Sequence, residues 1–151
     1  MIIKSLDHLK LISNKIADNI SDKECIFLFG EIGVGKTTFT RNFINYLQKQ
    51  KAVKQTEVLS PTFNLLYEYD IKDYKVMHYD LYRIKNKNEL KQLGIFNEDT
   101  NSIKIIEWPE LIKEDVESRL EINLSYTNNV NERNLEFTGY GKWKNITLNE
   151  F

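Results

Sequence analysis

The chain has little of several features that would mark other kinds of protein. Its single cysteine, Cys25, excludes an internal disulfide and fits a reducing compartment. No apolar run approaches the roughly 20 residues that a membrane helix needs, and Met1 leads directly into an amphipathic segment, so we expect neither a membrane anchor nor a secretory leader. Lysine and arginine number 21 against 22 acidic residues, whereas a stand-alone nucleic-acid binder needs a cationic surface. We therefore expect a cytoplasmic protein that reaches no membrane.

The chain also lacks internal repeats, low-complexity tracts and a linker that would mark a boundary. We therefore interpret residues 1–151 as one α/β domain. Apolar residues at helical spacing predict an amphipathic helix from Leu6 to Asn19, with Ser5 as its cap. The short apolar run ECIFLF predicts a strand covered on both faces, and Cys25 is expected to serve there as a small apolar residue.

The rest of the chain alternates between helical and strand patterns. A second helix is predicted from Lys36 to about Lys49. Alternating aromatic and polar residues predict two or three antiparallel strands over residues 57–84, with a turn near DIKD. There follow a short helix ended by Gly94, a strand at SIKII, a helix start at Pro109, and a hairpin of RLEINLSY with RNLEFTGY. This order predicts a central mixed β-sheet flanked by helices.

The segment GEIGVGKTT carries the most specific motif in the chain. Gly30, Gly35, Lys36 and Thr37 match G-x-x-x-x-G-K-[ST], and Gly33 adds a further glycine. Glycines let the backbone N–H groups wrap a triphosphate, and the helix that begins there adds the positive end of its dipole. A chance match in such a chain has a probability on the order of half a percent. The motif predicts a P-loop NTPase-like domain.

Residue roles follow from the motif. Lys36 is expected to reach the β- and γ-phosphates and the Thr37 hydroxyl to bind Mg²⁺. A second hydroxyl, on Thr38, is expected on the α-phosphate side. The predicted nucleotide-binding residues are Glu31, Ile32, Gly33, Val34, Gly35, Lys36, Thr37 and Thr38.

A phosphate loop of this kind needs a carboxylate opposite its threonine, usually at the end of an apolar strand. Asp80 follows KVMHY and Glu107 follows IKII, so both lie at predicted strand ends, where α/β sheets place their ligands. We predict Lys36, Asp80 and Glu107 as catalytic residues and Thr37 with Glu107 as metal ligands. Glu107 has the longer reach and is the candidate to activate a water, with Asp80 binding a metal-bound water.

Three neighbouring features are open to more than one interpretation. Trp108 either packs or forms an exposed anchor for a partner, since tryptophan is favoured at binding hot spots. His78 lies on the same face of its strand as Asp80, and core packing is as consistent with that place as a role near phosphate. The segment NKNE, Asn86 to Glu89, is close to the guanine-reading N-K-x-D element, but glutamate is a methylene too long. We interpret NKNE as a solvated helix start.

Four motifs in this order, GEIGVGKTT, SPTF, HYDLYR and EWPE, closely resemble the TsaE family, formerly called YjeE. The tail RNLEFTGYGKW is also similar to the family's final strand and glycine loop. The resemblance implies a small ATPase, using ATP and Mg²⁺, that is needed for threonylcarbamoyl modification of the adenosine next to the anticodon in tRNAs reading codons that begin with A. It also implies docking on TsaB and TsaD, with hydrolysis resetting that complex, and contact with tRNA only through it.

The resemblance also implies residue roles. Lys36 and Thr37 match the nucleotide and magnesium residues, Asp80 and Glu107 the family's essential acids, and Trp108 its accompanying tryptophan. Residues 60–63 match a loop that responds to the γ-phosphate, in which Thr62 senses the nucleotide state.

Two alternatives remain open from the residues alone. One is a small-molecule P-loop kinase, although a chain of about 150 residues leaves little room for a substrate pocket and lid. The other is a nucleotide-gated interaction module in which hydrolysis is incidental.

The four arginines, Arg41, Arg83, Arg119 and Arg133, lie in no obvious lid, so we expect slow intrinsic hydrolysis that a partner controls.

Overall fold

The structure, a computed structural model, describes residues 1–97 and 101–145. The elements in chain order are β1 (Ile2–Ile3), α1 (Leu6–Asp18), β2 (Cys25–Phe29), α2 (Lys36–Gln50), β3 (Leu66–Asp70), β4 (Lys75–Asp80), α3 (Lys87–Lys91), β5 (Ser102–Glu107), β6 (Arg119–Tyr126) and β7 (Arg133–Tyr140), with 3₁₀ helices at Pro109–Ile112 and Gly141–Asn145. Within the described ranges, no helix has the length and apolar character to cross a membrane.

The strands form one mixed sheet in the order β1-β7-β6-β2-β5-β4-β3. The central strands β6, β2, β5 and β4 are parallel to one another, and antiparallel pairs of β3 with β4 and of β7 with β6 and β1 flank them. Parallel strands are buried on both faces, which explains the unbroken apolar run of β2. The predicted α/β fold with a central mixed sheet is confirmed.

Two apolar clusters cover the two faces of the sheet. Alternation along β2 sends Ile26 and Leu28 to the face that α1 and α2 cover, and Cys25 and Phe27 to the opposite face. The first cluster also contains apolar side chains of both long helices, among them Ile12 and Phe39. The two helices thus bury their apolar stripes against the same face of β2.

Most predicted elements agree with the structure within a residue or two. Helix α1 is capped by Ser5, whose hydroxyl accepts the His8 N–H at 3.1 Å. Two strands, β3 and β4, form within residues 57–84, and β6 pairs with β7 as the predicted hairpin. Pro109 begins a short 3₁₀ helix. Asn86 caps α3 with Glu89 exposed in its first turn, so the solvated helix start is confirmed.

The register of the central strands determines where the site forms. Asp80 and Glu107 are Cα partners at the ends of the neighbouring strands β4 and β5, and Leu28 of β2 lies opposite Glu107 on the other side. The phosphate loop leaves β2 immediately afterwards. The two carboxylates and the loop therefore meet at the carboxyl edge of the parallel strands, as is general for α/β sheets.

Candidate functional site

The loop between β2 and α2 depends on glycines at three positions. Gly30, Gly33 and Gly35 have φ angles of 132°, 78° and 123°, a region that disfavours side chains. A Cβ atom on Gly30 would lie 2.3 Å from the carbonyl oxygen of Leu124 in β6. The loop therefore wraps closely against the sheet, and its far end leads into the first turn of α2, where backbone N–H groups have no helical partner.

The Lys36 ammonium lies inside this loop. Its Nζ donates to the carbonyl oxygens of Gly30 at 2.5 Å and Glu31 at 2.8 Å. Burial lowers the pKa of Lys36 below its usual value, while the carboxylates of Glu107 and Asp80 act in the opposite direction. The loop therefore holds a cation at its centre, within the field of both carboxylates, as binding of a polyphosphate requires.

Glu107 lies directly against the threonine that follows Lys36. The Thr37 hydroxyl donates to Glu107 Oε1 at 2.9 Å, and His78 Nε2 lies 2.8 Å from the same oxygen. Since a carboxylate only accepts, Nε2 carries the proton. His78 and Glu107 are 0 % and 2 % exposed. One carboxylate oxygen is thus held between two donors from different elements, which restricts the side chain to one orientation.

Asp80 has different partners. Its Oδ2 accepts the Thr62 hydroxyl at 2.9 Å and its Oδ1 accepts the Tyr82 N–H at 2.9 Å. Ser60 Oγ lies 2.8 Å from Thr62 Oγ1, which extends the contact along the loop of residues 60–63. Asp80 therefore joins that loop to the carboxyl edge of the sheet, while Glu107 contacts the phosphate loop.

Trp108 combines an unusual backbone with contacts inside the site. Its φ and ψ of 58° and 54° are left-handed, a conformation that costs about 1–2 kcal/mol for a residue with a side chain. Its N–H donates to Leu28 O at 3.2 Å. Its ring centroid is 4.1 Å from Lys36 Nζ and 4.8 Å from the ring of Tyr82. The Trp108 ring therefore covers the Lys36 ammonium and makes a cation–π contact with it.

These groups line one cleft of about 250 Å³. Of the predicted site residues, the cleft brings together Ile32, Gly33, Gly35, Lys36, Thr37, Thr38, Asp80 and Glu107, with Ser60, Thr62, Tyr82 and Trp108 beside them. Glu31 contributes its carbonyl oxygen to Lys36 and lies outside the cleft with Val34, which is buried.

The donor set fits a magnesium ion that shares its ligands with a phosphate chain. Thr37 Oγ1 and Glu107 Oε1 are 2.9 Å apart, which matches the separation of about 2.9 Å between adjacent ligands around an octahedral Mg²⁺. Within residues 1–97 and 101–145, no group of three or more His, Cys, Asp or Glu side chains is placed to hold a metal. Mg²⁺ typically takes one or two carboxylates and completes its shell with phosphate and water.

Two contributors were not predicted from the sequence. The Tyr126 hydroxyl at the end of β6 donates to Ile32 O at 2.9 Å and so supports the phosphate loop from the side opposite Glu107. Tyr82 packs on Trp108. Tyr82 lies two residues after Asp80 and belongs to the HYDLYR motif, which was a usable signal. Nothing in the local sequence marks Tyr126.

The sequence matches a family model described as "Threonylcarbamoyl adenosine biosynthesis protein TsaE" over residues 3–135. Three curated relatives are each called tRNA threonylcarbamoyladenosine biosynthesis protein TsaE. That of Rickettsia conorii is 34% identical over 84% of this chain and 71% of its own. That of Haemophilus influenzae is 37% identical over 78% and 73%, and that of Bacillus subtilis is 29% identical over 89% and 82%.

The fold is also found in a solved structure of another protein. The crystal structure of Bacillus subtilis YdiB superposes with a TM-score of 0.72, covering 99% of this chain and 90% of that one, at 24% identity. At this identity the likeness supports the architecture alone.

Proposed function

The chain belongs to the TsaE family of tRNA threonylcarbamoyladenosine biosynthesis, and from this premise we propose that it binds and hydrolyses ATP in the presence of Mg²⁺. The observation that carries the proposal is the contact of Thr37 with Glu107 at the end of the phosphate loop. It brings a hydroxyl and a carboxylate from residues 70 positions apart to the place where a metal-bound triphosphate needs both.

The chain's own residues bind and orient the triphosphate. The glycine-rich backbone and the start of α2 bind the phosphates, and Lys36 exchanges its two carbonyl contacts for phosphate oxygens. When bound, Mg²⁺ neutralises charge on the β- and γ-phosphates. Hydrolysis adds a water oxygen to the γ-phosphorus and breaks its bond to the β,γ-bridging oxygen, which releases ADP and inorganic phosphate.

The two acids have separate roles in this proposal. Glu107 touches Thr37, so we assign it to the magnesium side; Asp80 is bound to Thr62 and to the Tyr82 backbone. Asp80 lies beside Glu107 and accepts a hydrogen bond from the loop of residues 60–63, so we assign it to orienting the attacking water and to linking that loop to the γ-phosphate. This reverses the division expected from the sequence, in which Glu107 activates the water. Proximity thus supports Glu107 over Asp80 as the metal ligand.

Control by partners is the second half of the proposal. All four arginines lie among the described residues, and none lines the cleft. Arg41 donates to Val58 O, and the Arg119 side chain pairs with Glu121. An arginine in the cleft typically raises phosphoryl-transfer rates by about 10³–10⁵-fold. We therefore propose slow hydrolysis by the isolated chain and regulation by TsaB and TsaD, through which the protein acts on tRNA.

Reconstitution tests this proposal. Threonylcarbamoyl modification of tRNA is measured with the other components plus ATP, with this chain, without it, or with the Lys36→Ala variant. We expect modification only with the unchanged chain, since Lys36→Ala removes the central cation of the loop. Phosphate released by the chain without any added acceptor separates hydrolysis from a kinase reaction. Modification that proceeds equally without the chain contradicts the proposal.

His78 is expected to position Glu107. His78→Leu removes one of the two donors to Glu107 Oε1, so we expect the Mg²⁺ concentration for half-maximal hydrolysis to rise by about tenfold, the lower range for partners of metal ligands. His78→Gln retains an N–H near Nε2 and is expected to stay within about threefold of the unchanged protein. Nucleotide affinity measured in EDTA serves as the control. Equal behaviour of the two variants indicates a packing role only.

A further inference from the structure

The chain between α2 and β3, residues 51–65, is held against α2 in its first part. The buried Gln48 side chain binds Thr56 twice, because its Nε2 donates to Thr56 Oγ1 at 2.9 Å and its Oε1 accepts the Thr56 N–H at 3.1 Å. Gln55 Nε2 donates to Asn45 O at 3.2 Å. Hydrogen bonds to the helix that begins at the phosphate loop therefore set the path of this segment.

Arg41 extends these contacts toward the cleft. Its Nε donates to Val58 O at 3.1 Å, although the arginine occupies an exposed position of α2. Val58 is 1% exposed and belongs to the apolar cluster that contains Phe39, whereas the next residue, Leu59, is 46% exposed. Arg41 therefore binds the backbone at the point where the segment leaves the core and enters the loop of residues 60–63.

The residues that follow Val58 form a closed turn. The Leu65 N–H donates to Pro61 O at 2.6 Å, and Leu65 has a left-handed φ of 66°. Thr62 lies inside this turn and donates to Asp80. Val58 and Thr62 are four residues apart, which is at most about 14 Å of extended chain. A displacement at Val58 is therefore passed on to the turn that carries the Thr62 hydroxyl.

Helix α2 contacts both halves of the site. Thr37, in its first turn, donates to Glu107, and Arg41 lies one helical turn further along the same face. Glu107 and Asp80 are Cα partners on neighbouring strands. The helix thus reaches one acid directly through Thr37, and it reaches the loop that binds the other acid through Arg41.

We propose that Arg41 is a positioning residue for ATP hydrolysis, whose hydrogen bond to Val58 O fixes the place at which the turn of residues 61–65 presents Thr62 to Asp80. This inference rests on the proposed function, because it takes Asp80 to orient the attacking water. Arg41 does not line the cleft. Its removal is therefore expected to affect the rate of hydrolysis and to leave the binding of the phosphates unchanged.

Arg41→Met and Arg41→Gln separate the hydrogen bond from the charge. Both variants lose the cation, but the glutamine amide nitrogen is as many bonds from the backbone as arginine Nε and still donates, whereas methionine has no donor. Since small misplacements of catalytic groups cost up to about 100-fold in rate, we expect Arg41→Met to lower steady-state phosphate release by about tenfold or more, with ATP affinity changed by less than about twofold.

The Gln variant is expected to stay within about threefold of the unchanged chain, because it keeps the donor. Lys49→Met, the same loss of charge at an exposed position in the last turn of α2, is the matched control. Equal rates in Arg41→Met and Arg41→Gln contradict the proposal. A loss of ATP affinity as large as the loss of rate makes Arg41 a purely structural residue.

A double variant tests the route through Thr62. Thr62→Val keeps the shape of the side chain and removes its donor to Asp80. When Arg41→Met is added to Thr62→Val, we expect a further loss of less than about twofold, since residues of one network are not additive. If the two losses multiply in full, Arg41 acts outside this loop and the proposal is wrong.

Amide hydrogen exchange over residues 59–65 gives a measurement that does not depend on hydrolysis. Without nucleotide, we expect faster exchange there in Arg41→Met than in Arg41→Gln. If the unchanged chain releases no phosphate, the proposed function fails and the positioning role with it, while the exchange still decides whether Arg41 holds the loop. If the unchanged chain and Arg41→Met hydrolyse ATP equally, the positioning role is wrong and the proposed function stands.

Discussion

Glu107→Gln is expected to lower the rate of ATP hydrolysis by about 100-fold or more while ATP is still bound. Glutamine has the size of glutamate and its amide oxygen can still accept from Thr37 and His78, so the cleft keeps its shape. The variant loses the negative charge beside Thr37, which we assign to the metal. Steady-state phosphate release and nucleotide titration in EDTA measure the two effects separately.

Glu114→Gln is the matched control for that variant. It makes the same chemical change at an exposed position in the turn that follows the short helix Pro109–Ile112. We expect a change of less than about twofold in hydrolysis, since a single exposed charge is screened by solvent. Equal losses in both variants would falsify the assignment of Glu107. If hydrolysis falls in Glu107→Gln but tRNA modification persists, the chain acts as a nucleotide-gated module.

Gly30→Ala is expected to lower the free energy of unfolding by on the order of 3 kcal/mol or more. The new Cβ would lie 2.3 Å from Leu124 O and 2.9 Å from Val34 Cγ1, and the φ of 132° is unfavourable for alanine. Leu124 O belongs to the backbone of β6, which is paired on both sides and cannot move away without loss of strand pairing. Urea denaturation followed by circular dichroism measures the change.

Gly33→Ala separates the clash from the backbone strain. Gly33 also has a positive φ, of 78°, but a Cβ there would meet only the Tyr126 hydroxyl, at 3.1 Å. This contact is the end of a side chain that can shift by a few tenths of an ångström, so we expect a loss of about 1–2 kcal/mol, mainly the cost of the left-handed backbone. If the two variants lose the same stability, the close approach of Gly30 to β6 has no energetic consequence.

Much of the fold follows from local patterns in the sequence. The unbroken apolar run of β2 predicts an inner parallel strand, the helical spacing in α1 predicts its buried face, and alternation in RLEINLSY and RNLEFTGY predicts the hairpin. These are short-range signals, because period and turn chemistry are set by residues close in the chain. The strands predicted over residues 57–84 include β4, which brings Asp80 to the edge of the sheet.

The sequence predicts which residues form the candidate site better than it predicts how they are arranged. The phosphate loop motif identifies Lys36 and Thr37, and strand ends suggest Asp80 and Glu107. Which acid touches Thr37 depends on the order β2-β5-β4, in which β5 lies next to the loop strand and β4 one strand further away. Strand order is a tertiary property that no local pattern contains.

The contacts of Tyr126 and His78 could not be predicted for the same reason. Tyr126 is 94 residues from Ile32 in sequence, and its hydrogen bond depends on β6 pairing with β2. The sequence leaves both packing and function open for His78, because its partner, Glu107, lies on another strand. Its distance of 2.8 Å from the carboxylate links it to the proposed metal side.

The burial of Cys25 has a practical consequence for measurements on this protein. Burial raises the pKa of its thiol to about 12, so almost no thiolate, the form that attacks maleimides, is present near neutral pH. Because the chain has no other cysteine, a cysteine introduced at an exposed position such as Phe63 would be the one group that takes a spectroscopic label. Movements near the cleft can then be followed in the otherwise native sequence.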